Sequence, residues 1–201
     1  MVLRILWHLD RHPIARFPVG RGGAVAGVVA DGTRSSPALR GPLTGRPCAA
    51  YQLLIWAMMG PTPVDTPVVF ENCCAPFEID DGSGLVRVAP RAAELALSYR
   101  RIASGTPGVD LPSDLIPALT RSGFAGPWGR YGFEERSLLP GDWVVVCGTG
   151  ALEPDPRAPG DPGYREGAPS RLVLGASPAF PLAISNDASL RVQPRQTVRL
   201  V

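Results

Sequence analysis

Lysine is absent from this chain of 201 residues: all 20 basic residues are arginine, set against 18 acids for a net charge of +2. The codon bias of a GC-rich genome explains that exchange without changing charge. A charge so close to zero, with arginines scattered among the acids, lacks the basic stripe of a nucleic-acid binder, so no nucleic-acid partner is expected. Cysteine and histidine are scarce. Cys48, Cys73, Cys74 and Cys147 stand too far apart for a zinc knuckle, and the adjacent pair Cys73-Cys74 is not a CxxC, so neither a metal nor another cofactor is expected. Long apolar runs are missing too. The opening "MVLRILWHLDRHP" is broken by Arg4, His8 and Asp10, too short and too charged for a signal peptide or a spanning helix. Reduced thiols and a cytoplasmic location follow as expectations, with residues 1–12 as a candidate peripheral contact to a membrane surface.

Glycine and proline are plentiful at 23 each, above the ordinary shares of about 7% and about 5%. With 45% hydrophobic and 19% charged residues, the chain can bury a core as one turn-rich domain. The expected fold is mainly β: a partly open β-barrel or sandwich of about six to eight strands, with one or two short helices inserted between residues 90 and 121. Residues 1–19 form an amino-terminal segment and residues 20–201 a single domain. A Pro-rich stretch at 150–170 is expected to be a mobile loop.

Strand signals recur along the chain. "GAVAGVVA" at 23–30 is a small-residue apolar run between turn formers, and "CAAYQLLIWAMM" is long enough for strand or buried helix, with strand favoured. "WVVVCG" is apolar on both faces, which places it in the middle of the structure. "RAAELALSYRR" at 91–101 carries Ala92, Leu95 and Tyr99 at helical spacing behind Pro90 and predicts a helix. "SDLIPALTR" predicts a second, shorter helix, weakened by Pro117.

The stretch "PFEIDDGSGLVRVAP" at 76–90 raises the question of chemistry. Phe77 and Ile79 alternate with Glu78 and Asp80, and Val86 and Val88 with Arg87, the period-2 pattern of a half-buried hairpin. Alternation sends Glu78 and Asp80 to the solvent face. Gly82 and Gly84 supply the reversal, and Asp80 or Asp81 can accept hydrogen bonds from amides inside the bend. A rival use of Glu71, Glu78, Asp80 and Asp81 is a metal-dependent hydrolase site at the hairpin tip. A Cys–His nucleophile would need His8 or His12 beside a cysteine, and Cys73-Cys74 could sense oxidants, although buried cysteines usually act as small hydrophobes.

Three blocks in order, "SPALRGPLTGRPCAAYQLLI", "FEIDDGSGLVRVAP" and "YGFEERSLLPGDWVVVCGTG", resemble the GIDE-type domain, also called the beside-a-membrane or BAM domain, of mitochondrial ubiquitin ligases and many bacterial proteins. The resemblance rests on Pro42, Leu43, Thr44, Gly45, Cys48 and Tyr51; on Phe77, Asp81, Gly84 and Val86; and on Tyr131, Leu139, Pro140, Gly141 and Asp142. It spans roughly residues 20–190. Ligases of that family resemble one another in two membrane spans and a RING finger, whose eight Cys and His ligands this chain cannot supply. The resemblance therefore implies the family's non-catalytic binding or scaffolding domain, recognising a protein partner or a membrane surface. Thr44, Gly45, Asp80, Asp81, Gly84, Tyr131 and Asp142 are its candidate binding residues, and no catalytic residue is assigned.

Overall fold

Strands dominate the computed structural model, which describes residues 6, 8–31, 39–59, 62–63, 67–106, 109–110, 113–121, 130–156 and 169–191. The fold is mainly β, and no helix reaches seven residues among those described. None of the described helices is long and apolar enough to cross a membrane. The contacts divide into two compact units, where the sequence reading takes residues 20–201 as one domain. Unit 1 is Met1–Ala30, Pro76–Ala96 and Gly141–Val201, and unit 2 is Asp31–Ala75 and Leu97–Pro140. Strands are numbered in chain order across both.

Unit 1 is a barrel. β1 (Gly22–Val29), β7 (Phe77–Asp80), β8 (Leu85–Val88), β13 (Ser170–Gly175) and β12 (Trp143–Pro154) pair in that order, and β12 returns to β1 over Trp143–Thr149. The ring is closed, not partly open. Counted along the chain as strands 1 to 5, the order is 1-2-3-5-4-1, with β8–β13 its one parallel pair. That is a Greek-key closure. β14 (Ala183–Ser185) and β9 (Glu94–Ala96) extend the sheet from β12.

Alternation fills the barrel with Val25, Val29, Phe77, Ile79, Val86, Val88, Val144, Val146 and Leu174, all buried. The opposite face of β1 and β12 is buried as well. Ala24, Val145 and Cys147 pack with Leu6, Ala183 and Leu190, and Leu9, Ala26, Trp143 and Phe180 join them. This outer layer explains why "WVVVC" is apolar on both faces. It also places Leu6, from the segment considered for membrane contact, inside the protein; Val2, Leu3, Ile5 and Trp7 lie outside the described residues.

Unit 2 is a sheet centred on β4 (Ala50–Met59), which pairs with β6 (Val69–Cys74) on one side and β11 (Tyr131–Leu138) on the other. β10 (Tyr99–Gly105) lies beyond β11, and β5 (Thr62–Pro63) pairs with the end of β4. β2 (Leu39–Arg40) and β3 (Pro47–Cys48) form a short separate ladder. The core joins Leu43, Leu53, Ile55, Val69, Tyr131 and Phe133 to Leu115, from a 3-10 turn at Ser113–Leu115 that leads into α1 (Ile116–Arg121). Pro117 sits in the first turn of α1, where its missing N–H has no intrahelical partner to lose.

Three expectations need correction. Residues 91–101 are not helical. Ala92 turns the chain with φ of 53°, β9 pairs in parallel with β14, and β10 pairs with β11. Distant strand partners outweigh a short local helical pattern there. Glu78 points outward as predicted but is only 9% exposed, because the period-2 pattern fixes the side a residue faces and not whether that side is covered. Finally, residues 150–154 are not loop but the far end of β12, paired with β13; residues 157–168 lie outside the described residues.

Candidate functional site

In unit 1 the DDGSG bend is stitched by its own side chains. Asp80 Oδ1 accepts the Gly82 N–H at 2.7 Å. Asp81 Oδ1 accepts the Ser83 N–H at 2.8 Å, the Ser83 hydroxyl at 2.7 Å and the Gly84 N–H at 3.2 Å. Its Oδ2 reaches out of the bend to the N–H of Ile14 at 2.7 Å, while Ser83 Oγ accepts from the N–H of Ala15 at 3.2 Å. Both acceptors cap the 3-10 helix Ile14–Arg16. Partial burial raises the Asp81 carboxyl, but the donors from Ile14, Ser83 and Gly84 outweigh it and hold the group below the usual aspartate value. Gly84 carries no functional atom; its α-carbon faces Ile14, against whose side chain a methyl would press.

In unit 2 the turn that holds Thr44 and Gly45 is stitched from far away. Glu135, on β11 and fully buried, accepts the N–H groups of Leu43 at 2.7 Å and Thr44 at 3.0 Å on Oε2, and the Thr44 hydroxyl at 2.8 Å on Oε1. Arg101 completes the clamp by donating to the Leu43 carbonyl at 2.8 Å. The turn closes on itself through Gly45 N–H to Gly41 O at 2.8 Å. A methyl group at Gly41 would collide with the Glu135 carboxylate and Thr44 Oγ1, so the close approach requires glycine.

The remaining candidates are framework. Tyr131 is buried in the unit 2 core, edge-on to Phe133 with ring centroids 6.3 Å apart. Asp142 offers its backbone carbonyl to Val29 N–H at 2.9 Å, extending the β1–β12 ladder. Thr44 and Gly45 share one turn, and Asp80, Asp81 and Gly84 share one bend; the structure gathers each set within a different unit.

The acids of the hydrolase reading are divided as well. Glu71 is in unit 2, where it accepts the Tyr51 hydroxyl at 2.7 Å, and Glu78, Asp80 and Asp81 are in unit 1. Among the described residues, no group of three or more His, Cys, Asp or Glu is placed to hold a metal ion. Three of the thiols, Cys48, Cys74 and Cys147, are held towards their protonated form. Burial, with Glu135 and Cys73 nearby, pushes Cys48 up to about 11, and burial, with Cys48 and Cys73 nearby, pushes Cys74 up to about 12. Burial raises Cys147 too. All four cysteines are free.

Glu135 and Arg101 escaped the sequence reading. A signal was present for Glu135, which shares strand parity with Tyr131 and Phe133 and so faces the core. A buried carboxylate demands donors. Nothing in the sequence says that those donors sit some ninety residues upstream.

The chain matches no family model, no curated protein and no solved structure. What fold and site define is a class of architecture: a mainly β protein whose unit 1 is a closed five-stranded barrel.

Proposed function

We propose that the chain is a non-catalytic binding or scaffolding module, of the GIDE or beside-a-membrane type that its motifs resemble, and that it recognises a protein partner. The motif positions support this reading by what they do: Thr44, Gly45, Asp81 and Gly84 build turns, and Asp81 is saturated by four donors. Their hydrogen bonds go to holding the shape of two turns, which is the use a recognition fold has for them. Lipid contact through residues 1–12 is less favoured than a protein partner, since Leu6 lies in the outer core of the barrel.

The observation that carries the proposal is the edge of the unit 2 sheet. β10 pairs with β11 alone among the described strands. Along it Tyr99 and Ile102 are 61% and 70% exposed, high values for large apolar side chains in a strand. Arg101, between them in the chain, is held by its bond to the Leu43 carbonyl, and Arg136, stacked over Tyr99 at 5.1 Å, pairs with Glu134. An edge strand with one partner among the described strands and exposed apolar anchors suits an extended segment that adds as a further strand. The bulge between Tyr99 and Arg101 restricts where such a segment can pair.

Selection of a displayed random-peptide library on the full chain tests this. Enrichment of extended peptides with apolar residues at alternate positions is expected, with binding weakened at least tenfold by Ile102→Glu. Failure to enrich any such peptide, or enrichment indifferent to Ile102→Glu, defeats the proposal.

A further inference from the structure

Unit 1 has a cleft of about 580 Å³ lined by Arg11, His12, Pro13, Ala26, Asp81, Gly82 and Ser83. Its size falls in the range of small-molecule sites, roughly 300 to 1,000 Å³. The polar groups on its wall differ sharply in how far they are already engaged. Asp81 accepts four hydrogen bonds, and the N–H groups of Gly82 and Ser83 are tied to Asp80 and Asp81. The acidic side of the cleft has its acceptors engaged, although Asp81 keeps its negative charge, so an anion must sit towards the basic side.

The basic side is less engaged. Arg11 donates once, from Nη2 to the Leu190 carbonyl, and its guanidinium lies 5.7 Å from the centre of the Trp143 ring. Its Nε is buried without a hydrogen-bond partner, and no carboxylate among the described residues pairs with it. A guanidinium has five N–H donors in a planar fork; with Nε buried and Nη2 bonded to Leu190, the donors left for a ligand are those of Nη1 and the second of Nη2. Burial lowers the Arg11 pKa. His12 uses its backbone N–H on Ala24 O and sets its ring edge-on to Phe17 at 5.8 Å. Neither of its ring nitrogens is hydrogen-bonded among the described residues. Arg191 stands over the same Trp143 at 5.4 Å and adds a second positive charge to that indole.

We propose that this cleft binds a small ligand of the phosphate-monoester class, with Arg11 and His12 holding the anion. A phosphate group offers several oxygens to a fork and an imidazole together, whereas a single carboxylate is filled by the fork alone. The volume beyond the anion is left for the ester group. The cleft and the β10 edge lie in different units, so either proposal can fail without the other.

The test is titration of the full chain with inorganic phosphate and with glycerol 1-phosphate, against acetate at matched ionic strength, followed by amide and imidazole NMR shifts. Saturable binding of both phosphates, tighter for the ester, is expected, with shifts centred on residues 11–13 and 81–83. Arg11→Gln should weaken it tenfold or more and His12→Gln severalfold, while Arg191→Gln, outside the cleft lining, leaves it within twofold. Should Arg11→Gln fail to fold because it packs on Trp143, His12→Gln alone decides. No saturation by about 10 mM, equal binding of acetate, or binding indifferent to His12→Gln in a folded protein overturns the proposal.

Discussion

Two turns in this molecule meet the same need by opposite routes. The bend in unit 1 satisfies its amides with Asp80 and Asp81, two or three residues away, and the turn in unit 2 satisfies Leu43 and Thr44 with Glu135, some ninety residues away. The first acceptor is half in water. The second is fully buried. An exposed local acceptor can be replaced by solvent when removed, whereas a buried remote one leaves unsatisfied donors in the core. The unit 2 turn is therefore coupled to the integrity of its whole sheet, and the unit 1 bend chiefly to its own hairpin and the adjoining 3-10 helix.

Replacing Glu135 should have the largest effect. Glu135→Ala strands two amides and a hydroxyl, and a loss of about 3 to 5 kcal/mol in urea denaturation is expected. A loss below about 1 kcal/mol would erase the distinction drawn here. Asp81→Ala comes next, at about 0.5 to 2 kcal/mol. Because the two groups serve different units, the double variant should lose the sum of the single losses to within about 0.5 kcal/mol. Coupling larger than that would show that the units report on each other.

The sign of the acid response sharpens the contrast. Asp81 has a folded pKa below its unfolded value near 4, so its contribution is present above that pH and is lost as pH falls through the folded pKa. Stability of the native protein should decline below about pH 4, and less steeply in Asp81→Asn. Identical acid limbs for the two proteins would remove Asp81 as the cause. Ser83→Ala, which loses bonds to Asp81 and Ala15 at an exposed site, should cost only about 0.5 to 1 kcal/mol. The smallest perturbation touches no hydrogen bond of either turn: alkylation at pH 8 should modify Cys48 and Cys74 at least tenfold more slowly in the native protein than in urea, since burial holds both as thiols. Equal rates would mean that those sites open readily.

The same contrast sets what the sequence discloses. The hairpin of β7 and β8 is legible because its period, its bend residues and its acceptors lie within a dozen positions. The strand at 50–59 is half legible, since its apolar run fits a strand or a buried helix and its pairing with β6 and β11 decides between them. Residues 91–101 mislead because β9 takes its conformation from β14, with Leu95 opposite Ile184, and no local pattern announces a partner that distant. Glu135 lies between these cases: strand parity shows it facing inward, but its role depends on a turn in another stretch of chain. The sequence offers His12 only as a partner for a nucleophilic cysteine and does not mark Arg11 at all, and their cleft exists only once that segment lies beside the bend.

Closure of the barrel has a consequence for synthesis. β1 pairs along nearly its whole length with β12, across a separation of about 120 residues. On a ribosome adding roughly 5 to 20 residues per second, β1 would wait on the order of 6 to 25 seconds for its partner. Throughout that interval the β12-facing edge of "GGAVAGVV" is unpaired, even after β7 has docked on its other side, and is open to pairing with a neighbouring nascent chain. The chain's dependence on chaperones should therefore be greatest before residue 150 emerges and fall once β12 is free of the tunnel.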